Sequence, residues 1–71
     1  MLVETIRDCK GRIACKGDAH TGVIEAVYKG HRTRTQLSIG EAFTVEREGI
    51  VTEVTRISST AFRVESHASA A

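Results

Sequence analysis

The run Val23-Ile24-Glu25-Ala26-Val27-Tyr28, then Lys29-Gly30, then His31-Arg32-Thr33-Arg34-Thr35-Gln36-Leu37-Ser38 decides the fold class. With side chains alternating across a strand, Ile24, Ala26 and Tyr28 fall on one face and Val23 and Val27 on the other. Both faces are apolar, the pattern of a strand inside a sheet. Lys29-Gly30 supplies a turn, since glycine enters turn conformations without steric cost. Residues 32–38 set Arg and Gln against Thr and Leu, so this returning strand has one wet side.

The same punctuation extends in both directions. Residues 2–8 and 11–16 form a second hairpin about Lys10-Gly11. With Cys9 opposite Arg12, Leu2, Ile6, Ile13 and Cys15 share one apolar face. Residues 17–22 (GDAHTG) read as loop. Strands follow at 42–48, 50–57 and 60–66, split by Glu48-Gly49 and by Ser58-Ser59. Ser38-Ile39-Gly40-Glu41 also fits a helix capping box. Gly40 in the first turn and the β-branched pair Thr44-Val45 argue against that helix, and a strand is expected there.

Turns recurring about every 8–12 residues predict an all-β domain. The expected architecture is a small five- to seven-stranded antiparallel barrel, OB-like first and SH3-like second. Closing the sheet would remove exposed edges from a chain without proline to guard them. The expected core is Leu2, Ile6, Ile13, Ile24, Val27, Leu37, Phe43, Val45, Val54, Ile57, Phe62 and Val64. Residues 1–66 form one domain and residues 67–71 a flexible tail.

Composition excludes several classes. The chain has 71 residues, 41% hydrophobic and 27% charged, with two cysteines and no tryptophan. No apolar run approaches the roughly 20 residues of a membrane-spanning helix. The acidic start Met1-Leu2-Val3-Glu4 lacks the basic and apolar regions of a secretory signal. Cys9 and Cys15 on one strand would lie about 20 Å apart, beyond disulfide reach. Two reduced thiols suit a cytoplasmic protein.

The constellations that carry chemistry are thin. Cys9, Cys15, His20 and His31 lack the tight ligand pairs of a zinc site, so no metal is expected. Neither Asp18 with His20 nor a cysteine with a histidine completes a catalytic set. No enzyme and no cofactor are expected.

Charge says more. Through Gln36 there are seven bases and four acids, and from Leu37 onward three bases and five acids. Lys29, His31, Arg32 and Arg34 cluster about one hairpin with Tyr28 at its base. Arg32 and Arg34 point to one face, where they would grip phosphates while Tyr28 offers a stacking surface. Lys10, Arg12 and Lys16 are further basic candidates. The competing account is a charged edge strand that blocks aggregation. The function expected first is a non-enzymatic interaction module that binds a protein partner or its own copies as a homo-oligomer. Its alternative is a small barrel binding single-stranded RNA or DNA. A chain this short is marginal alone, and Leu37, Ile50 and Val51 are candidate apolar contacts outside its core.

Two family resemblances attach to these residues. The runs T-G-V-I-E-A-V-Y-K-G-H-R, S-I-G-E-A-F, V-T-E-V and F-R-V-E resemble the soluble carboxy-terminal domain of NfeD-type proteins. Gly22, Gly30, Arg32, Gly40, Glu41, Phe43, Val54 and Val64 occupy comparable places. That resemblance implies a five-stranded OB-type barrel. Gly40-Glu41 with Phe43-Thr44-Val45, and the run from Phe62 to Ala68, resemble strands of CsrA-type RNA-binding regulators. That resemblance implies Arg63 as an RNA contact.

Overall fold

A computed structural model describes residues 3–28 and 30–68, with Tyr28 described by its backbone. Seven strands follow one another: β1 (Val3–Arg7), β2 (Ile13–Asp18), β3 (Val23–Tyr28), β4 (His31–Gln36), β5 (Ala42–Arg47), β6 (Ile50–Arg56) and β7 (Phe62–Ala68). They make two antiparallel meanders, a four-stranded sheet in the order β1-β2-β3-β4 and a three-stranded sheet β5-β6-β7. The protein is all-β, and β3 pairs on both sides. The capping-box segment forms no helix. Ser38 and Glu41 close a turn instead, Glu41 N–H donating to the Ser38 carbonyl and Ser38 N–H to Glu41 Oε1.

The two sheets are not closed into the expected barrel. Among the described residues no ladder joins one to the other. The link from β4 to β5 explains why. Leu37 N–H turns back to the Gly22 carbonyl at 2.8 Å, and Gly40 N–H donates to the Arg56 carbonyl at 2.7 Å. The chain therefore steps across to the second layer instead of extending the ladder.

The core lies between the layers. Ile6, Cys15 and Ile24 from the first sheet meet Leu37 and Val54, with Ala26, Phe43, Val45 and Phe62 packed around them. Ile24 and Val54 are 0% exposed. Four expected core residues stand outside it: Ile13, Val27, Ile57 and Val64 are 44%, 54%, 52% and 41% exposed. Ile13 is turned out by a bulge. Ile6 pairs with Cys15 but Arg7 pairs with Ile13, so Ala14 is the extra residue. A bulge sets adjacent side chains on one side of the strand. Ala14 and Cys15 are both buried, which leaves Ile13 outside. Val27 occupies the outer face of β3, and Ile57 has left β6 for the turn that follows it. Val64 shares the inward row of Val54 but sits on the edge strand β7. Leu2 lies outside the described residues. Leu37 and Ile50, expected to seek contacts elsewhere, are buried in the chain's own core.

Strand limits also differ from expectation. Gly17 and Asp18 belong to β2 and not to a loop. A Cβ on Gly17 would stand 2.5 Å from Ile24 Cδ1 and 2.9 Å from the Phe62 ring. The glycine is there to let those two side chains close over the strand. At the other end, β7 takes in His67 and Ala68, which the sequence had assigned to the tail. Residues 69–71 lie outside the described residues.

Arg56 ties the layers together. From the end of β6, its Nε donates to the Ala19 carbonyl, Nη1 to Leu37 and Nη2 to His20, each at 2.9 Å. Thr52 adds a second tie: its Oγ1 lies 3.0 Å from Ser66 Oγ, which accepts the Cys9 N–H at 2.9 Å. Gly22 makes room for the Arg56 clamp. Its φ is +82°, and a Cβ there would fall 2.1 Å from the Leu37 carbonyl oxygen and 2.9 Å from Arg56 Nη1.

Gly11 has nearly the same φ, +81°, with nothing within 4 Å of its would-be Cβ. Alanine at Gly11 therefore carries the left-handed backbone penalty alone, about 1–2 kcal/mol. At Gly22 the collision adds roughly 1–3 kcal/mol. Urea denaturation is expected to rank Gly22→Ala well below Gly11→Ala. Equal midpoints would show that the Gly22 approach contributes nothing.

Candidate functional site

The basic hairpin is built by a six-rung ladder from Val23↔Gln36 to Tyr28↔His31. On the other side of β3 the ladder with β2 has three rungs and ends at Lys16↔Glu25. Beyond Glu25, β3 and β4 continue as a two-stranded ribbon standing off β2. The bulge at Ala14 is the local cause, since a bulge bends its strand and increases the twist. A groove of about 250 Å³ opens where the strands part, lined among others by Ile13, Lys16, Val27 and Arg32. A second, of about 320 Å³, runs beside Val3, Lys16, Val23 and Arg34.

The register divides the expected site residues. Arg32 pairs with Val27 and Arg34 with Glu25, so both lie on the outer face of the four-stranded sheet. Lys16 joins them across Glu25. His31 is exposed, and alternation places it on the opposite side of β4 from Arg32. Tyr28 pairs with His31 in the backbone; Lys29 and the Tyr28 ring lie outside what is described. Arg63 is elsewhere. It pairs with Thr55 on the outer face of the second sheet, and its Nη2 is held by Glu65 Oε1 at 2.6 Å. The structure thus brings Arg32 and Arg34 together with Lys16 and leaves His31 and Arg63 apart from them.

Two further basic candidates separate in the same way. Lys10 is exposed in the β1–β2 turn, whereas Arg12 is spent on structure. Arg12 Nε and N–H both reach the buried Asp8 carboxylate, at 3.2 and 3.0 Å, and its Nη1 donates to Glu48. Burial pushes the Asp8 carboxyl up, but the Arg12 and Lys10 N–H groups and the Arg12 guanidinium outweigh this and hold it below its ordinary value. Donation from Ser38 does the same for Glu41, with little opposition from burial.

The residues missed by sequence reasoning are the apolar members of this face. Val3, Ile13 and Val27 are exposed beside Lys16, Arg32 and Arg34. Glu25 is the opposing carboxylate, with one oxygen 3.7 Å from Arg32 Nε. Asp18 shares the face by register but is buried, and its Oδ1 accepts the His20 backbone N–H at 2.9 Å. That bond is to the amide and so gives no imidazole–carboxylate dyad. Alternation of apolar and basic residues could have flagged the face, had the bulge been visible.

Burial pushes the Cys15 thiol up to about 11, so it stays protonated at neutral pH. Among the described residues no three His, Cys, Asp or Glu side chains gather into a metal-binding group. No helix among them is long and apolar enough to cross a membrane. No protein-family model, curated protein or solved structure matches this chain.

Two measurements check the site's chemistry. Asp8 and Glu41 have folded pKa values below the ordinary 3.8 and 4.5. Their stabilisation is complete above those ordinary values and lost as the pH falls through the lowered ones. Urea midpoints are expected to drop between about pH 6 and about pH 3, and Asp8→Asn to flatten that slope. In thiol titration, exposed Cys9 reacts in the native protein, while buried Cys15 reacts only after denaturation.

Proposed function

We propose that this chain is a non-enzymatic interaction module, and that its binding surface is the outer face of the four-stranded sheet. The observation that carries this reading is the makeup of that face. Lys16, Arg32 and Arg34, with Arg7 at its end, surround the exposed apolar side chains of Val3, Ile13 and Val27. An acidic protein surface with apolar contacts is the complement of such a face.

The runner-up is a single-stranded nucleic acid. Such ligands are held by cations interleaved with aromatic rings on which bases stack, each worth about 1–3 kcal/mol. Among the described residues this face carries no ring: Phe43 and Phe62 pack against the core. The protein reading is therefore preferred over the RNA contact that the CsrA resemblance implies. The OB-type barrel that the NfeD resemblance implies belongs to a class of small β folds whose sheet face serves as a binding platform. The free thiols of Cys9 and Cys15 suit a reducing compartment such as the cytoplasm.

Fluorescence anisotropy with a poly-glutamate peptide and with oligouridylate tests the assignment. The peptide is expected to bind at low salt, with about tenfold loss on replacing Arg32 and Arg34 by glutamate. Tight oligouridylate binding, with a log–log salt slope near −0.7 per contact, would transfer the surface to the second reading. Binding of neither probe would sink the proposal.

A further inference from the structure

The two layers carry opposite charge on their outer faces. On β5–β7 the ladder places Glu53 between Thr44 and Glu65, with Glu46 one row away. All three glutamates are exposed. Glu65 has Arg63, but among the described residues the Glu46 and Glu53 carboxylates have no ion-pair partner. Glu53 stands directly opposite Glu65, and like charges facing each other across a ladder are destabilising. On the four-stranded sheet the reverse holds. Lys16 and Arg34 flank Glu25, and neither has an ion-pair partner among the described residues.

We infer that the acidic surface taken by the basic face is the β5–β7 face of a second copy of this chain. The inference rests on the interaction-module reading and names its partner. Charge complementarity is the argument: Lys16, Arg32 and Arg34 around the half-buried Glu25, with Arg7 at the end, meet Glu46, Glu53 and Glu65 around Arg63. The contact joins unlike faces, so each copy retains one free face of each kind, and association runs head to tail into rings or open chains. Size sets its strength. The smaller, three-stranded face limits the contact, and three strands about 4.8 Å apart and about 20 Å long project roughly 300 Å². A standard interface buries about 800 Å² per partner. The pairing is therefore weak and salt-sensitive.

Charge reversal on each face separately gives a specific test. In Arg32→Glu/Arg34→Glu both faces are acidic, and in Glu46→Lys/Glu53→Lys both are basic. All four side chains are exposed, and native thiol protection of Cys15 verifies that each variant folds. By sedimentation across a hundredfold concentration range, the wild-type mass is expected to rise at low salt and return to monomer at high salt. Each variant alone stays monomeric, and an equimolar mixture associates again. A wild type that is monomeric throughout, or a mixture that does not associate, overturns the inference. If the poly-glutamate peptide still binds the monomer, the module reading stands and only the self-pairing falls. If the peptide fails as well, both fall together.

Discussion

Everything in this fold hangs on how one guanidinium is spent. Arg56 reaches three carbonyls on two separate segments of the chain, and Gly22 yields the space it needs. Hydrogen bonds to a charged group contribute about 1.5–3 kcal/mol each where water is kept out. A domain of this size has a stability of order 5 kcal/mol. The bonds to Ala19 and Leu37 are part-buried and the bond to His20 is exposed, so the clamp supplies a substantial part of that margin. Its geometry requires arginine, whose planar fork directs donors outward in fixed directions, where lysine presents one compact ammonium.

With the clamp in place, the layers behave as two platforms joined at the rim. Thr52, Ser66 and the Cys9 amide close one side, and Arg47 Nη1 reaches the Ile13 carbonyl beside the bulge. The basic and acidic faces are thereby held outward. Charge asymmetry between the two halves of the sequence becomes asymmetry between two layers, because each sheet is a meander made from one half.

Much of this was legible in the residues. Val23–Tyr28 has the boundaries its alternation predicts, and Glu48-Gly49 makes its turn with both residues at positive φ. Ile6 does pair with Cys15, but Asp8 stands opposite Arg12 where Cys9 was expected, and the bulge at Ala14 restores the register. The bulge was not legible, because Ala14 carries no glycine or proline to mark it. Gly17 looked like the start of a loop because the side chains that require a glycine there are Ile24 on the next strand and Phe62, 45 positions away. Arg56 left no trace in local spacing, since its partners are backbone carbonyls 19 to 37 positions distant. Of the site, the pairing of Arg32 with Arg34 was readable, and the separation of Arg63 was not. That separation depends on which layer a strand joins.

Among the described residues every ladder links strands that are neighbours in sequence. Such wiring is unusual in speed for an all-β chain, because short loops close at low entropic cost before distant contacts reward them. Each meander has its ladder pairings within its own half of the sequence, whereas joining the layers requires Arg56 to reach the Ala19 and His20 carbonyls of the other half. Until then the inner faces of both sheets, Ile24 on one and Val54 on the other, are open to water. Apolar faces left open while the layers are apart are the surfaces through which such a chain aggregates.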